Sequence, residues 1–258
     1  MLESREDINV LSTGELTGIA AGKKIEACIV KLQEEKETIR IVFAAAPSQD
    51  AMLDYLSKSK IIKWNAIIAF NMDEYIGLPE HAPQSFANYL EENLYSNINL
   101  KEKHTINPGS DIDAELNRYA HLIKEAPIDI VCLGIGENGH IAFNDPPVAD
   151  FDDSHVIKAV HLDKPCRMQQ VHDGCFEKLE DVPERALTLT IPTLLSGTFL
   201  FCVVLGAKKS AAVRNTFAGK ITTACPASIL TTHEHCEFFF DEAAFKEARA
   251  IKSKILND

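Results

Sequence analysis

The chain has 258 residues, of which 46% are hydrophobic and 25% are charged. This composition excludes a disordered chain and allows one large α/β domain with a sizeable core. The formal net charge of −12, from 38 acidic and 26 basic residues, argues against nucleic-acid binding through a broad basic face. A small anionic substrate is compatible with this charge, because a few local donors are enough to hold it.

Five short apolar runs predict strands. They are rich in β-branched or aromatic residues and largely lack polar alternation, which is typical of parallel strands covered on both faces. In chain order they are residues 38–46, 66–70, 128–133, 199–205 and 236–240.

Helical patterns lie between these runs. Ser12 and Glu15 predict a capping box that opens the first helix. The later helices are predicted at residues 48–56, 85–95, 111–125, 207–217 and 241–255. The alternation predicts a Rossmann-like, three-layer α/β/α sandwich around a mostly parallel, doubly wound sheet. We expect a single domain over residues 1–258, with the polar segment 146–183 as a mobile lid over the site.

The seven cysteines indicate reduced thiols of a cytoplasmic protein, because none forms a C-x-x-C pair and their number is odd. The charged N-terminus lacks the apolar core of a signal peptide. No apolar run reaches the roughly 20 residues that span a bilayer, so we expect no membrane partner. His233, His235 and Cys236 do not have the spacing of a closed metal site, and we expect no metal.

Two carboxylates, Asp73 and Glu74, follow the second predicted strand beside the turn at Gly77. Ligands of open parallel sheets bind beyond the carboxyl ends of the strands. A desolvated carboxylate there can take a proton from carbon next to a carbonyl or imine group. The alternative is a solvated acidic turn.

A glycine-rich segment, GIGENGHIAFNDP, follows the third strand. Gly136 and Gly139 allow the backbone to approach a ligand closely, and His140 is an acid–base group suited to neutral pH. Asn138 and Asp145 can fix its tautomer if the fold brings them near. A nucleotide-binding turn fits poorly, since it needs a helix directly after the glycines. A buried structural histidine is the other alternative.

A phosphate site is predicted after the fourth strand, where Gly206 precedes Lys208 and Lys209 at the start of a helix. Backbone N–H groups and an ammonium group favour an anion there. Two solvated lysines are the alternative. Ser48, after the first strand, is a weaker candidate, as the cap of a helix that can offer backbone N–H groups to an anion.

Six segments in this order resemble the glucosamine-6-phosphate deaminase (isomerase) family: NMDEYIGL, PQSFANYL, GIGENGHIAFNDP, ALTLTIPTLL, VLGAKK and PASIL. Together they span about residues 43–241. The first and third are specific, and the others are supportive.

The resemblance implies a Rossmann-like fold and a phosphorylated amino sugar as the small-molecule partner, with no organic cofactor and no metal. Asp73 would be the base that moves a proton between C2 and C1. His140 would open the sugar ring, assisted by Asn138 and Asp145. The substrate-binding positions implied by the alignment are Ala45, Ser48, Gln49, Glu74, Gly136, Gly139, Arg167, Gln170 and Lys209.

The chain departs from the family's better-known members at four places. The loop after the first strand reads AAAPSQ instead of a Gly-rich segment. Asn138 replaces an aspartate, and Asp145 replaces a glutamate. Gln170 stands at the position that we align with a phosphate-binding arginine, with Arg167 one turn earlier.

The sequence therefore favours an amino-sugar-phosphate isomerase and deaminase. A 6-phosphogluconolactonase is a second hypothesis, but such enzymes usually continue with Ser-Leu-Phe-Pro, where this chain has Phe-Asn-Asp-Pro at residues 143–146. A catalytically silent sugar-phosphate sensor on the same fold is a third hypothesis. The sequence leaves a homo-oligomer open.

Overall fold

A computed structural model describes residues 5–79, 81–109 and 111–251. Its centre is a seven-stranded sheet in which every pair of neighbouring strands is parallel. The strand order is β1–β10–β9–β6–β2–β3–β5. The bounds are Ile8–Leu11 (β1), Ile39–Phe43 (β2), Ile67–Asn71 (β3), Glu102–His104 (β5), Ile130–Leu133 (β6), Phe199–Val204 (β9) and Cys236–Asp241 (β10).

A second sheet of three antiparallel strands lies beside the carboxyl end of β3, and the sequence analysis did not predict it. Its order is β4–β8–β7, with the bounds Asp73–Tyr75, Arg185–Leu189 and Ile157–His161. Only one residue, Met72, separates β3 from β4. The chain therefore passes directly from the central sheet into the small one.

Helices cover both faces of the central sheet. One face packs against α1 (Gly14–Glu35), α2 (Asp50–Ser57) and α3 (Phe86–Asn93). The other packs against α4 (Ile112–Lys124), α6 (Ile191–Leu195), α7 (Ser210–Thr216) and α8 (Glu242–Phe245). The remaining helix, α5, is Lys164–His172. Successive strand residues such as Val42 and Phe43 enter opposite cores, because side chains of a strand alternate between its faces.

The predicted three-layer, doubly wound α/β fold is confirmed, and all five predicted strands form. Some details differ. Thr13, not Ser12, caps α1, since its hydroxyl accepts a hydrogen bond from the backbone N–H of Leu16 at 3.2 Å. The predicted last helix is only the short α8 followed by a 3-10 turn at Ala248–Ala250. The rest of that prediction, residues 252–255, lies outside the described residues. No helix in the described part of the chain is long and apolar enough to cross a membrane.

Candidate active site

A cavity of about 350 Å³ opens beyond the carboxyl ends of β2, β6 and β9. It is lined by the loops at residues 44–49 and 134–136, which follow the neighbouring strands β2 and β6. The chain winds outward from β2 in one direction through β3 and β5, and from β6 in the other through β9 and β10. Such a reversal of strand order is where doubly wound sheets bind ligands.

Asp73 enters this cavity from the first residue of β4, opposite Thr188 of β8. The amide of Asn71 fixes the backbone beside it, donating to the Asp73 carbonyl at 2.9 Å while accepting from the N–H of Ile106. Burial raises the pKa of Asp73 well above its ordinary value, and the charge of Glu74 raises it further. A carboxylate in this setting is a stronger base once it is ionised.

Glu74 has a different role, although it is the next residue. Its carboxylate accepts hydrogen bonds from the Ser85 hydroxyl and from three backbone N–H groups, those of Tyr75, Phe86 and Ala87. It holds the N-terminus of α3, where a negative charge is favourable. Glu74 does not line the cavity, so the prediction that it binds substrate is not supported.

The loop after β6 packs its backbone around the ring of His140. The N–H of Gly136 donates to the His140 carbonyl at 2.9 Å. A Cβ atom on Gly136 would lie only 2.2 Å from the imidazole ring, so glycine is required for the ring to occupy this place. Ala142, two residues beyond the histidine, has a positive φ of 48°, a conformation that costs energy and is concentrated at functional sites.

His140 and Asp145 form a buried pair, with Nδ1 of the ring 2.9 Å from Oδ1 of the carboxylate. The alignment falls short of a hydrogen bond, but the two atoms lie within ion-pair distance. Burial by itself would raise the pKa of Asp145, but His140 and the Asn138 amide together hold it below its ordinary value. The ring nitrogen left for a ligand is therefore Nε2.

Asn138 does not line the cavity but supports this pair from behind. Its Oδ1 accepts a hydrogen bond from the backbone N–H of His140 at 3.0 Å, and its Nδ2 donates to Asp145 Oδ1 at 3.0 Å. The structure thus brings together three of the four residues predicted as catalytic in one contact network. Asp73 lines the same cavity as His140.

The same cavity is lined by most of the predicted anion-binding residues. Lys209, Ala45, Ser48, Gln49 and Gln170 all line it, whereas Lys208 does not. The Gln49 amide donates to the Ser48 hydroxyl at 2.9 Å, and its buried Oε1 has no partner. Burial lowers the pKa of Lys209, while its contact with Asp173 at 3.9 Å acts in the other direction.

Two further predicted substrate-binding residues lie outside the lining. Arg167 donates through Nη2 to the carbonyls of Leu179 and Val182, at 2.9 and 2.8 Å, and does not line the cavity. Gly139 also lies outside the lining. Its positive φ of 86° and the Cys225 thiol, 2.7 Å from where a Cβ would stand, give it a structural reason to be glycine.

The expected use of the Gly206 backbone for phosphate is also not supported. Its N–H donates to both carboxylate oxygens of Asp241, at 3.1 and 3.0 Å. The helix that follows starts as a 3-10 turn, Ala207–Lys209, before α7. Lys209 itself lines the cavity, whereas the N–H of Gly206 is taken by Asp241.

Several residues around the site were missed by the sequence analysis. Asp173, Gln169 and Asp241 line the cavity, and Asp163 contacts Asn138. Gln169 accepts from the N–H of Glu137 at 2.7 Å, which ties α5 to the glycine-rich loop. The sequence pointed to this region only through the predicted lid at 146–183, which contains Asp163, Gln169 and Asp173.

The HEHC segment does not converge on a site. His233 Nε2 lies 3.0 Å from the carbonyl of Gly197, and His233 Nδ1 accepts from the backbone N–H of His235. Both ring nitrogens of His233 are therefore engaged in local contacts just before β10.

A doubly wound α/β fold with a buried carboxyl group and an imidazole–carboxylate pair at one cavity is typical of an enzyme. A family model described as glucosamine-6-phosphate isomerases/6-phosphogluconolactonase matches residues 13–238. The chain belongs to this family, and the resemblance found in the sequence is confirmed.

Curated relatives support the same assignment. A glucosamine-6-phosphate deaminase of Streptococcus equi subsp. zooepidemicus (strain H70) is 34% identical over 184 residues, covering 71% of this chain and 76% of the relative. One of Streptococcus pyogenes serotype M49 is 31% identical over 224 residues, covering 86% and 93%.

Among solved structures, a monomeric glucosamine-6-phosphate deaminase superposes with a TM-score of 0.84 at 26% identity, covering 93% of this chain and 99% of its own. A 6-phosphogluconolactonase from Shewanella baltica gives a TM-score of 0.75 at 16% identity, covering 92% and 98%. At that identity the second likeness shows the fold alone.

Proposed function

We propose that this enzyme isomerises and deaminates glucosamine 6-phosphate, giving fructose 6-phosphate and ammonia. The observation that carries the proposal is the arrangement of Asp73 and the His140–Asp145 pair around one cavity. Relatives named glucosamine-6-phosphate deaminase at 31–34% identity support the choice of substrate.

Ring opening is assigned to His140. Its Nε2 takes the proton of the anomeric hydroxyl and returns a proton to the ring oxygen, which leaves an open-chain aldehyde. The imidazolium formed on the way is stabilised by Asp145, as a carboxylate does in other imidazole–carboxylate pairs. Asn138 orients the pair but adds no charge.

Isomerisation is assigned to Asp73. Its carboxylate removes the proton from C2 while the carbonyl oxygen at C1 takes a proton from solvent, which gives an enolamine. The same carboxyl group then delivers its proton to C1 as the amino nitrogen releases a proton to solvent, which leaves an imine at C2. Water then adds to the imine and ammonia leaves, so the ketose phosphate is the product. The raised pKa of Asp73, caused first by burial, suits a group that must accept a proton from carbon.

The phosphate is assigned to the Lys209 ammonium group and the Ser48 hydroxyl, with Gln170 also in the lining. Gln49 orients Ser48, because its amide donates to the Ser48 hydroxyl and to the carbonyl of Val203. The segment 146–183 is the lid of this proposal, because α5 contributes Gln170 to the lining. The proposal needs no organic cofactor and no metal. It places the enzyme in the cytoplasm, in line with seven unpaired cysteines, and leaves a homo-oligomer open.

The test is ammonia release by the purified protein with glucosamine 6-phosphate, galactosamine 6-phosphate and their N-acetyl forms in parallel. We expect ammonia from glucosamine 6-phosphate and none from the N-acetyl forms, whose nitrogen is an amide. Hydrolysis of 6-phosphogluconolactone without ammonia release would support the lactonase hypothesis instead. Tight binding of an amino-sugar phosphate without turnover of any compound would support the sensor.

A further inference from the structure

The amide of Asn138 lies between two carboxylates from different parts of the chain. Its Nδ2 donates to Asp145 Oδ1 at 3.0 Å and lies 3.4 Å from both oxygens of Asp163. An amide nitrogen carries two hydrogens, so one can serve each carboxylate. The reverse orientation would turn the amide oxygen towards two negative charges, which fixes the assignment of the amide atoms.

Asp163 is also the N-cap of α5. Its Oδ1 accepts a hydrogen bond from the backbone N–H of Cys166 at 2.8 Å. The buried thiol of Cys166 itself lies within 4.8 Å of a carboxylate oxygen of Asp145. The first turn of α5 therefore reaches the His140–Asp145 pair by two routes, one through Asn138 and one through the thiol.

The charges around Asn138 explain why an amide stands there. Burial raises the pKa of Asp163, and the nearby charge of Asp145 raises it further, whereas His140 has the opposite effect. A carboxylate in place of Asn138 would bring three negative groups into contact. The amide instead separates two carboxylates and donates to both.

We propose that Asp163 is a positioning residue for His140, acting through Asn138, and that it links the N-terminus of α5 to the catalytic pair. This inference rests on the proposed function, since it assigns His140 to the reaction. The titratable groups that face His140 are Asp145 from its own loop, Asp163 and Cys166 from α5, Cys225 behind Gly139, and Asp73 and Lys209 across the cavity.

The decisive variant is Asp163→Asn, because asparagine caps a helix about as well as aspartate but carries no charge. We expect kcat for glucosamine 6-phosphate to fall about tenfold, with KM changed less than about twofold. We also expect the pH profile of kcat to shift by about half a unit to lower pH, because a protonated imidazole loses a neighbouring anion.

Asp111→Asn is the matched control. Asp111 caps α4 by accepting from the N–H of Ala114 at 2.9 Å, and we expect wild-type kinetics from that variant. An Asp163→Asn variant that also keeps wild-type kcat and pH profile would overturn the proposal and leave Asp163 as a cap alone.

The double variant Asn138→Asp/Asp163→Asn exchanges the amide and the carboxylate. We expect its loss in kcat to be smaller than the product of the two single losses, because an amide and a carboxylate again meet at this contact. Losses that simply multiply in the double variant would contradict the coupling through Asn138.

Titration of the His140 ring by NMR separates this inference from the proposed function, since it requires no turnover. The signal is assigned by its loss in His140→Gln. If wild-type protein releases no ammonia, the proposed function fails, but the ring of Asp163→Asn should still titrate at lower pH than the wild-type ring. An identical titration in the two proteins would overturn the inference whatever the activity.

Discussion

Neighbouring residues with the same charge have different tasks in this site. Asp73 faces the cavity with a raised pKa, while Glu74 is bound by four hydrogen bonds at the start of α3. The sequence showed two carboxylates beside a turn but not which way each one points. The alternation of side chains along β4 decides this, because adjacent residues of a strand face opposite sides.

Replacement of Asp73 by Asn should stabilise the protein in a pH-dependent way. The folded state holds the Asp73 proton more tightly than the unfolded chain, so wild-type stability falls as pH rises from the ordinary carboxyl range through the raised pKa. At pH 8 we expect the free energy of unfolding of Asp73→Asn to exceed that of wild type by about 1–2 kcal/mol. The difference should vanish near pH 4.

Urea unfolding at pH 4 to 8 measures this difference. Asp54→Asn is the control, because it removes an exposed carboxylate from α2 that pairs with Lys58 at the surface. If Asp73→Asn is less stable than wild type at pH 8, the conclusion that burial disfavours the charged form of Asp73 is wrong.

Gly136 should not tolerate a side chain. A Cβ atom there would meet the His140 ring at 2.2 Å, so Gly136→Ala must displace the imidazole from Asp145. We expect kcat to fall at least about a hundredfold, which is the range of a lost acid–base catalyst. Gly109→Ala is the control, since a Cβ there would meet nothing nearer than 3.9 Å. Wild-type activity in Gly136→Ala would show that the loop is not rigid.

Other site residues had no motif to reveal them. Asp163, Asp173 and Asp241 come from segments far from the glycine-rich loop and reach the site only through tertiary packing. Periodicity and turn signals describe neighbours along the chain, and so they could not find these carboxylates. His140 and Asp145 were found because the loop carries both.

At the scale of elements, the sequence predicted the buried strands and missed the exposed or very short ones. The five predicted strands lie inside the central sheet, where apolar residues cover both faces. The edge strands were missed because they are short: β5 has only Glu102–His104, all polar, and β1 has four residues. The small sheet was missed because β4 has only three residues and pairs with β8, more than 100 positions away.

The small sheet is nevertheless what positions the two halves of the site. Its β4 carries Asp73, and Thr188 of β8 accepts from the N–H of Phe143 at 3.1 Å. The amide of Asn144 donates to the carbonyl of Leu189 at 2.9 Å. The proposed base and the His140 loop are thus fixed to one strand, so their separation is set by β8.

The contact between Asp173 and Lys209 leads to a prediction about the affinity for inorganic phosphate. Asp173, at the end of α5, lies 3.9 Å from the ammonium group of Lys209. Because that carboxylate competes with a phosphate for the same cation, Asp173→Asn should lower the inhibition constant of inorganic phosphate by about threefold, the range of a partly exposed ion pair. Weaker inhibition would show that Asp173 holds Lys209 in place for the anion.

At the scale of the whole molecule, the site follows from the winding of the sheet. The strand order reverses between β2 and β6, and the loops after these two strands line the cavity. Strand–helix alternation predicted a doubly wound sheet with ligands beyond the carboxyl ends of its strands, but it did not give this strand order. The net charge of −12 does not oppose an anionic substrate here, since Lys209 lies inside the lining.

The central claim is that Asp73 transfers the proton of the reaction. The most direct measurement compares wild type and Asp73→Asn for ammonia release and for binding of glucosamine 6-phosphate by calorimetry. We predict a loss of kcat of at least about a hundredfold in the variant, with a dissociation constant within about threefold of the wild-type KM. Ammonia release by Asp73→Asn at a rate close to that of wild type would contradict the account.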